Sequence, residues 1–331
     1  METETDTGYF EVLKRATQTI INEPGNLGGI YKVVHELHAV YAELSGVSAG
    51  NITDDDIMLP SGKAVSTIKA AHCLLEFQRT AVFVRGIYKA ILQLKADFPS
   101  QIIHVLYAGC GPYATLLTPI AALFGPSEVN FTFLDINQVS LDAVKMMYDR
   151  LNIGEYIKAC ICTDATTYKI PTDTTVHLAV SETMLNALMK EPQVAVMQNI
   201  IPQLPPKALF VPAKITISAQ LLNAKEEEKG FTTAGYLPQR ILLGEVYTIS
   251  MQHYATPRAA TFRIPDELNG FKDVFLHTRI QTYADEVLTD YECSLTNPKK
   301  IAGAKSMEGR QLTFNYLSGE TPGFTYEWES N

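Results

Sequence analysis

The apolar run His104-Val105-Leu106-Tyr107-Ala108 ends at Gly109-Cys110-Gly111-Pro112-Tyr113-Ala114. A second run, Val129-Asn130-Phe131-Thr132-Phe133-Leu134, ends at Asp135. Largely apolar runs of this length are what buried strands require, and glycines straight after such a strand let a ligand approach the backbone closely. The spacing predicts a strand, a glycine turn and a helix, then a second strand that delivers a carboxylate to the same sheet edge. A carboxylate there can hold a ribose diol, so the pair points to a nucleoside-containing ligand.

The surroundings extend this pattern. Strand candidates Ile102–Tyr107, Val129–Leu134, Ile157–Cys162 and Val176–Val180 alternate with helical connections such as Gln138–Arg150. That alternation predicts a parallel sheet covered on both faces. Upstream, Ile30–Tyr41 and Val65–Leu94 carry apolar residues at helical spacing, with a polar loop over Asn51–Gly62. Downstream, Leu209–Ile217, Ile241–Met251, Ala259–Ile264, Val274–Ala284 and Gln311–Leu317 read as strands between turns. The expected architecture is α/β: a helical N-terminal region over 1–98, a Rossmann-like core over 99–208, and an antiparallel β-barrel-like domain over 209–331. Lys225–Lys229 reads as an exposed turn or helix end.

Composition narrows the class. With 46% hydrophobic and 19% charged residues, the chain can bury a core. A net charge of −9 gives no electrostatic support for general nucleic-acid binding and suits a basic partner. The five cysteines form no CxxC pair, and Cys160/Cys162 has poor zinc-site spacing. Met1–Thr7 is acidic and polar, unlike a secretory leader, and no apolar run has the length of a membrane span. With the scattered cysteines, these features predict a cytoplasmic protein with neither a metal nor a membrane partner. The absence of a GxxxxGKS/T loop disfavours a phosphate-binding NTPase.

Ala114 stands at the third place of a GxGxxG pattern, and Asp164 follows the third strand in Thr163-Asp164-Ala165. A glycine turn with one acid after each of the next two strands resembles Rossmann-like S-adenosylmethionine-dependent methyltransferases. The resemblance implies S-adenosyl-L-methionine as cofactor, with Asp135 on the ribose hydroxyls and Asp164 near the adenine amino group. Ala108, Gly109, Gly111, Ile136 and Ala165 would complete the cofactor site.

After the fourth strand comes Ser181-Glu182-Thr183-Met184-Leu185-Asn186-Ala187-Leu188-Met189-Lys190-Glu191. Its two glutamates, the first within Ser-Glu-x-Met, resemble the double-glutamate loop of protein arginine methyltransferases. Leu204–Pro212 resembles the lead into that family's β-barrel, and Leu295-Thr296-Asn297-Pro298 and Gly319–Phe324 resemble its late-barrel turns. Arg79-Thr80 resembles the pair whose arginine binds the cofactor carboxylate. The resemblance implies that Glu182 and Glu191 are catalytic, that Arg79 and Glu182 contact cofactor, and that the chain forms a homodimer. The sequence also departs from the family. It has no Thr-His-Trp triplet, its one tryptophan is Trp328, and Gln220–Arg240 is short for a dimerisation arm.

Two glutamates suit a guanidino acceptor. A guanidinium is planar, carries forked donors that carboxylates bind bidentately, and arrives protonated, which makes it a poor nucleophile. Paired carboxylates can hold the cation, draw positive charge toward the nitrogens they bind, and aim the remaining nitrogen at the methyl donor. Positioning of this kind reaches effective molarities of about 10⁵–10⁸ M in the best model systems. Glu191 is the candidate proton acceptor. The expected reaction is N-methylation of a guanidino group, free or in a peptide, with small-molecule O- or N-methylation as the alternative. A non-catalytic scaffold with the same fold is the second alternative.

Other residues carry weaker signals. His35, Glu36 and His38 lack HExxH order and read as helix-face residues. Tyr31, Tyr41 and Tyr88 read as core or half-core. His277 alternates within a strand and could face the site. Of Arg79 and Arg85, Arg79 is preferred for the cofactor carboxylate.

Overall fold

The computed structural model describes residues 4–47, 55–255 and 259–329, with side chains from residue 8 onward. Met1–Thr3 and the part of the expected polar loop up to Asp54 lie outside the described residues. The chain opens with two packed helices, α1 (Glu4–Asn22) and α2 (Leu27–Ser45). A short hairpin follows, β1 (Ile57–Leu59) and β2 (Gly62–Ala64), where only a loop was expected. Three-residue strands are too short to leave a periodicity in sequence.

The expected helix over Val65–Leu94 is broken. Ser66 caps α3 (Thr67–His72), a 3-10 turn covers Cys73–Leu75, and α4 runs Phe77–Asp97. The Thr80 hydroxyl donates to Leu74 O at 2.9 Å and seals the break. The interruption sets Glu76 and Arg79 at the start of α4. That helix is fixed from the far side. A Cβ on Gly86 would lie 2.3 Å from Thr282 Oγ1, and the Thr282 hydroxyl donates to Val82 O. Arg85 and Lys89 both pair with Glu286. Arg85 is thereby committed to Glu286, and it is not among the residues that line the cleft.

The central sheet comprises β3 (Ile103–Ala108), β4 (Val129–Asp135), β5 (Ile157–Cys162), β6 (Leu178–Ser181) and β7 (Leu209–Val211). Its order is β5-β4-β3-β6-β7, and every ladder is parallel. Every residue of β3 is buried, which explains its largely apolar run. Helix α5 (Gln138–Arg150) packs on β4 and β5, and α6 (Gln193–Ile200) packs on β6. Connections leave β3 toward β4 on one side, while β6 lies on its other side. A crevice therefore opens at the carboxyl ends of these strands, where open parallel sheets bind ligands.

Two expectations are corrected here. No α-helix follows the glycine turn; β3 leads into turns and a 3-10 segment, Thr118–Ala122. Ala114 has φ 41°, a left-handed backbone that interrupts a right-handed helix, and the Thr118 hydroxyl donates to Tyr113 O and Ala114 O within the resulting turns. The strand expected over Leu209–Ile217 is two strands. Its first part, β7, completes the parallel sheet, so that sheet runs past the expected boundary at 208.

The C-terminal half is antiparallel. Strands β8 (Lys214–Leu222), β9 (Ile241–Ser250), β11 (Asp273–Tyr283), β12 (Glu286–Leu288) and β13 (Lys299–Gly303) form one sheet, ordered β12-β11-β8-β9 with β13 also on β11. Strands β10 (Ala260–Arg263), β14 (Gln311–Leu317) and β15 (Gly323–Trp328) form a second. Leu312, Phe314 and Tyr316 alternate inward along β14, as a sheet with one covered face requires. The Lys225–Lys229 charge run lies in helix α7 (Ala224–Thr232). Among the described residues no helix is long and apolar enough to cross a membrane.

Candidate active site

A cleft of about 450 Å³ opens at the carboxyl ends of the parallel strands. Arg79, Gly109, Gly111, Asp135, Ile136, Asp164, Ala165, Glu182 and Glu191 all line it. Ala108 lies just behind, buried at the end of β3.

The glycine turn builds one end. Gly109 N and Cys110 N both donate to Leu134 O, which ties the turn to β4. Gly109 has φ 74°, and a Cβ there would lie 2.4 Å from Thr183 Cγ2, so glycine is required for both conformation and space. Asp135 Oδ2 accepts from Gly111 N at 2.9 Å and Oδ1 accepts from Asn137 N at 2.8 Å. Burial pushes its carboxyl up to about 6, although the backbone donors Asn137, Gly111 and Ile136 favour the charged form. Asp164 Oδ1 accepts from Thr166 N at 2.8 Å and from the Thr166 hydroxyl at 2.7 Å.

The acid end is assembled from distant segments. Glu182 Oε2 pairs with Arg79 Nη2, and Glu182 Oε1 is buried without a hydrogen-bond partner among the described residues. Arg79 Nη1 also pairs with Glu76 at 3.0 Å, and Glu76 in turn accepts from the backbone N and hydroxyl of Ser294. Both partners in the Arg79–Glu182 pair are nearly sequestered, with 10% and 7% of their side chains exposed. A buried ion pair is a poor source of net stability, because desolvation offsets the attraction. Glu191 is buried, and that burial pushes its carboxyl up to about 7 against the pull of Arg79 and Lys63. Neighbours that separate the states of titratable groups in a cleft are a mark of functional sites.

The loop carrying both glutamates is strained and fastened. Ala187, Leu188 and Lys190 have φ of 56°, 52° and 68°, a region non-glycine residues rarely adopt. Ala187 N donates to Thr278 Oγ1 on β11, the Tyr316 hydroxyl on β14 donates to Leu188 O, and Lys190 N donates to Pro322 O. The Asn186 amide donates to Asn297 O. The antiparallel half thus holds the conformation that the loop cannot hold alone. Behind it, Gln193 is fully buried. Its Oε1 accepts from Thr183 N and the Thr183 hydroxyl, and its Nε2 donates to Ser181 O, which fixes the backbone on both sides of Glu182.

Several of these residues left no sequence signal. Glu76, Gln193 and Ser294 act through contacts across the fold. Gly62 stands in Pro60-Ser61-Gly62, a turn signal, but nothing in sequence places that turn against Glu191. His277 pairs with Asp290 and is not among the cleft residues. His38 stacks on His72, and among the described residues no group of three or more His, Cys, Asp or Glu side chains could hold a metal ion.

No protein-family model matches the chain, and no curated protein matches it. Solved structures do. The chain is similar to the Trypanosoma brucei PRMT1 enzyme–prozyme heterotetrameric complex with AdoHcy, at 12% identity and a TM-score of 0.50, covering 77% of this chain and 90% of that one. It is also similar to Arabidopsis thaliana protein arginine methyltransferase 10 in a uniquely open conformation, at 12% identity and a TM-score of 0.45, covering 71% and 84%. The parallel sheet and the likeness to the Trypanosoma structure fit a Rossmann-like methyltransferase fold.

Proposed function

We propose that this chain is an S-adenosylmethionine-dependent N-methyltransferase whose acceptor is a guanidino group, free or within a peptide. The observation that carries this is Glu182, a cleft-lining carboxylate with one oxygen on Arg79 and the other buried without a partner. A buried acceptor atom without a partner costs about 1–3 kcal/mol, and more when charged, so an N–H donor in the cleft would be strongly favoured there.

The residues fit the cofactor. The Gly109 turn packs its bare backbone against Thr183, and Gly109 and Gly111 both line the cleft, where a ligand can approach main chain closely. The Asp135 carboxylate is turned to this end and pinned by Gly111, ready to accept from a ribose diol. Asp164 would accept from the adenine amino group, and Arg79 would hold the cofactor carboxylate. Ala108, Ile136 and Ala165 would form the walls. S-adenosylmethionine, when bound, supplies an electrophilic methyl group on a sulfonium.

The chain's own acids supply the rest. Glu182 binds the acceptor cation and orients its nitrogen. Glu191, poised near neutrality, accepts the proton that the nitrogen loses. Arg79, which pairs with Glu182 and Glu76 in the free chain, would hold the cofactor carboxylate with part of its guanidinium, and Glu182 would then be left to pair with the acceptor. The antiparallel sheets act as a barrel-like substrate domain that braces the glutamate loop, and the chain acts as a homodimer; the Trypanosoma structure, an enzyme–prozyme heterotetramer, supports only the coarser reading that such a fold assembles into oligomers.

The test is methyl transfer from labelled S-adenosylmethionine to free arginine, arginine peptides and simple amines in competition. Label on a guanidino nitrogen is the expected result. Label only on hydroxyls or simple amines would overturn the acceptor class. An absence of cofactor binding by calorimetry would overturn the enzyme itself and favour a scaffold.

A further inference from the structure

The β1–β2 hairpin is the part of the cleft that no sequence pattern announced, and its contacts are concentrated on the catalytic loop. Lys63 N donates to Lys190 O at 2.7 Å, the residue before Glu191. At Gly62, with φ 135°, a Cβ would stand 3.0 Å from Lys190 O and 3.1 Å from both Glu191 C and Pro192 N. Hairpin backbone and loop backbone therefore meet with no side chain between them. The Ser61 hydroxyl donates to Thr166 Oγ1 at 3.2 Å, and Thr166 in turn donates to Asp164. One short hairpin thus spans from the expected adenine acid to Glu191, and Leu59 and Lys63 line the cleft between them.

We propose that this hairpin is the acceptor-side wall of the site and that Lys63 is a positioning residue for Glu191: its main chain fixes the loop, and its ammonium supplies Glu191 with a counter-charge. The proposal rests on Glu191 serving the transfer reaction, but its primary test does not.

The charged groups around Glu191 are Arg79 from α4, and Lys63 and Asp56 from the hairpin and its lead-in. Arg79 is committed to Glu182 and Glu76. Asp56 pairs with Lys63 at 3.0 Å and with Lys69 of α3 at 3.2 Å. Lys63 is therefore a second cation, after Arg79, that favours ionised Glu191, and with Lys69 it neutralises the Asp56 charge beside it. Removing its charge deprives Glu191 of an attraction and leaves Asp56 less neutralised. Both changes penalise ionised Glu191, so its midpoint must rise. Lys63→Met leaves the backbone bond to Lys190 O in place and changes only the charge. The Lys63 side chain is 28% exposed, which makes room for the substitution.

The measurement is a carboxyl-carbon NMR titration of the ligand-free full chain labelled at glutamate, with the Glu191 signal assigned by its loss in Glu191→Gln. In the native chain the midpoint is expected at about 7. Lys63→Met should raise it, and Lys63→Arg should return it to the native value. A midpoint unmoved in Lys63→Met, or raised equally in Lys63→Arg, would overturn the counter-charge role. The wall role is read separately with Gly62→Ala. It should lower kcat by about tenfold or more, since small misplacements of reacting groups carry costs of that size, and leave the calorimetric affinity for S-adenosylhomocysteine unchanged. Full turnover in Gly62→Ala would overturn the wall. If Gly62→Ala does not fold, Leu59→Ala, which shortens the cleft wall without straining Gly62, repeats the same reading. A chain that binds no S-adenosylhomocysteine would end the proposed function while leaving the Lys63 titration to be judged alone.

Discussion

At the glycine-turn end of the cleft, Gly109 N donates to Leu134 O and Gly111 N to Asp135, all within the one segment from β3 to β4. At the acid end, Glu182 is held by Arg79 from α4, Gln193 from α6 backs it, and Thr278 and Tyr316 from the antiparallel sheets fasten its loop. The first end is local in the chain and the second is tertiary. A local unit can be kept intact through changes elsewhere, whereas the acid end depends on every element that meets there. A ligand common to a whole fold class would sit at the local end, and the acceptor, which varies, would sit at the assembled one.

Substitutions should separate the two ends, and the largest effect belongs to the acid end. Glu182→Gln is expected to lower kcat by about 10²–10³-fold, the range seen when one preorganised electrostatic partner is removed, with S-adenosylhomocysteine affinity nearly unchanged by calorimetry. Near-normal turnover would remove the clamp. Asp135→Asn should do the reverse. Charged hydrogen bonds contribute about 1.5–3 kcal/mol each, so cofactor affinity should fall by roughly 10–100-fold, with turnover recovering at saturating cofactor.

The two ends should also respond differently to pH. With the Asp135 carboxyl up at about 6, the charged form that accepts a diol is depleted as pH falls through that value. Cofactor affinity should then drop by about tenfold per pH unit below it, and Asp135→Asn should flatten the dependence. Turnover at saturating cofactor should instead rise with pH through about 7 as Glu191 loses its proton, and Glu191→Gln should abolish that limb. A single shared midpoint for binding and turnover would dissolve the distinction between the ends.

The smallest effect tests the bracing. Tyr316→Phe removes the buried donor to Leu188 O and should cost about 1 kcal/mol of stability, read as a modest fall in Tm. It should lower kcat further than a substitution of equal cost remote from the loop.

The same contrast explains what could be read from the sequence. The strand at Ile157–Cys162, the helix at Gln138–Arg150 and the strand at Gln311–Leu317 stand where their periodicities put them. Asp135 and Gly111 were legible because strand, turn and strand are consecutive. The absent helix after Gly111 was not, because nothing in the residue pattern announces the left-handed backbone at Ala114. The β1–β2 hairpin was not legible either, since three-residue strands carry no period. Both glutamates were visible as a motif. That one is tied to Arg79 and the other is walled by Gly62 follows from approaches between segments far apart in the chain.

A crystal structure of the complex with S-adenosylhomocysteine tests the central claim most directly. The account expects the ribose on Asp135, the adenine beside Asp164, and the Glu182 and Glu191 carboxylates facing the vacated methyl position. A cleft left empty at saturating ligand, or either glutamate turned away to bulk water, would contradict it.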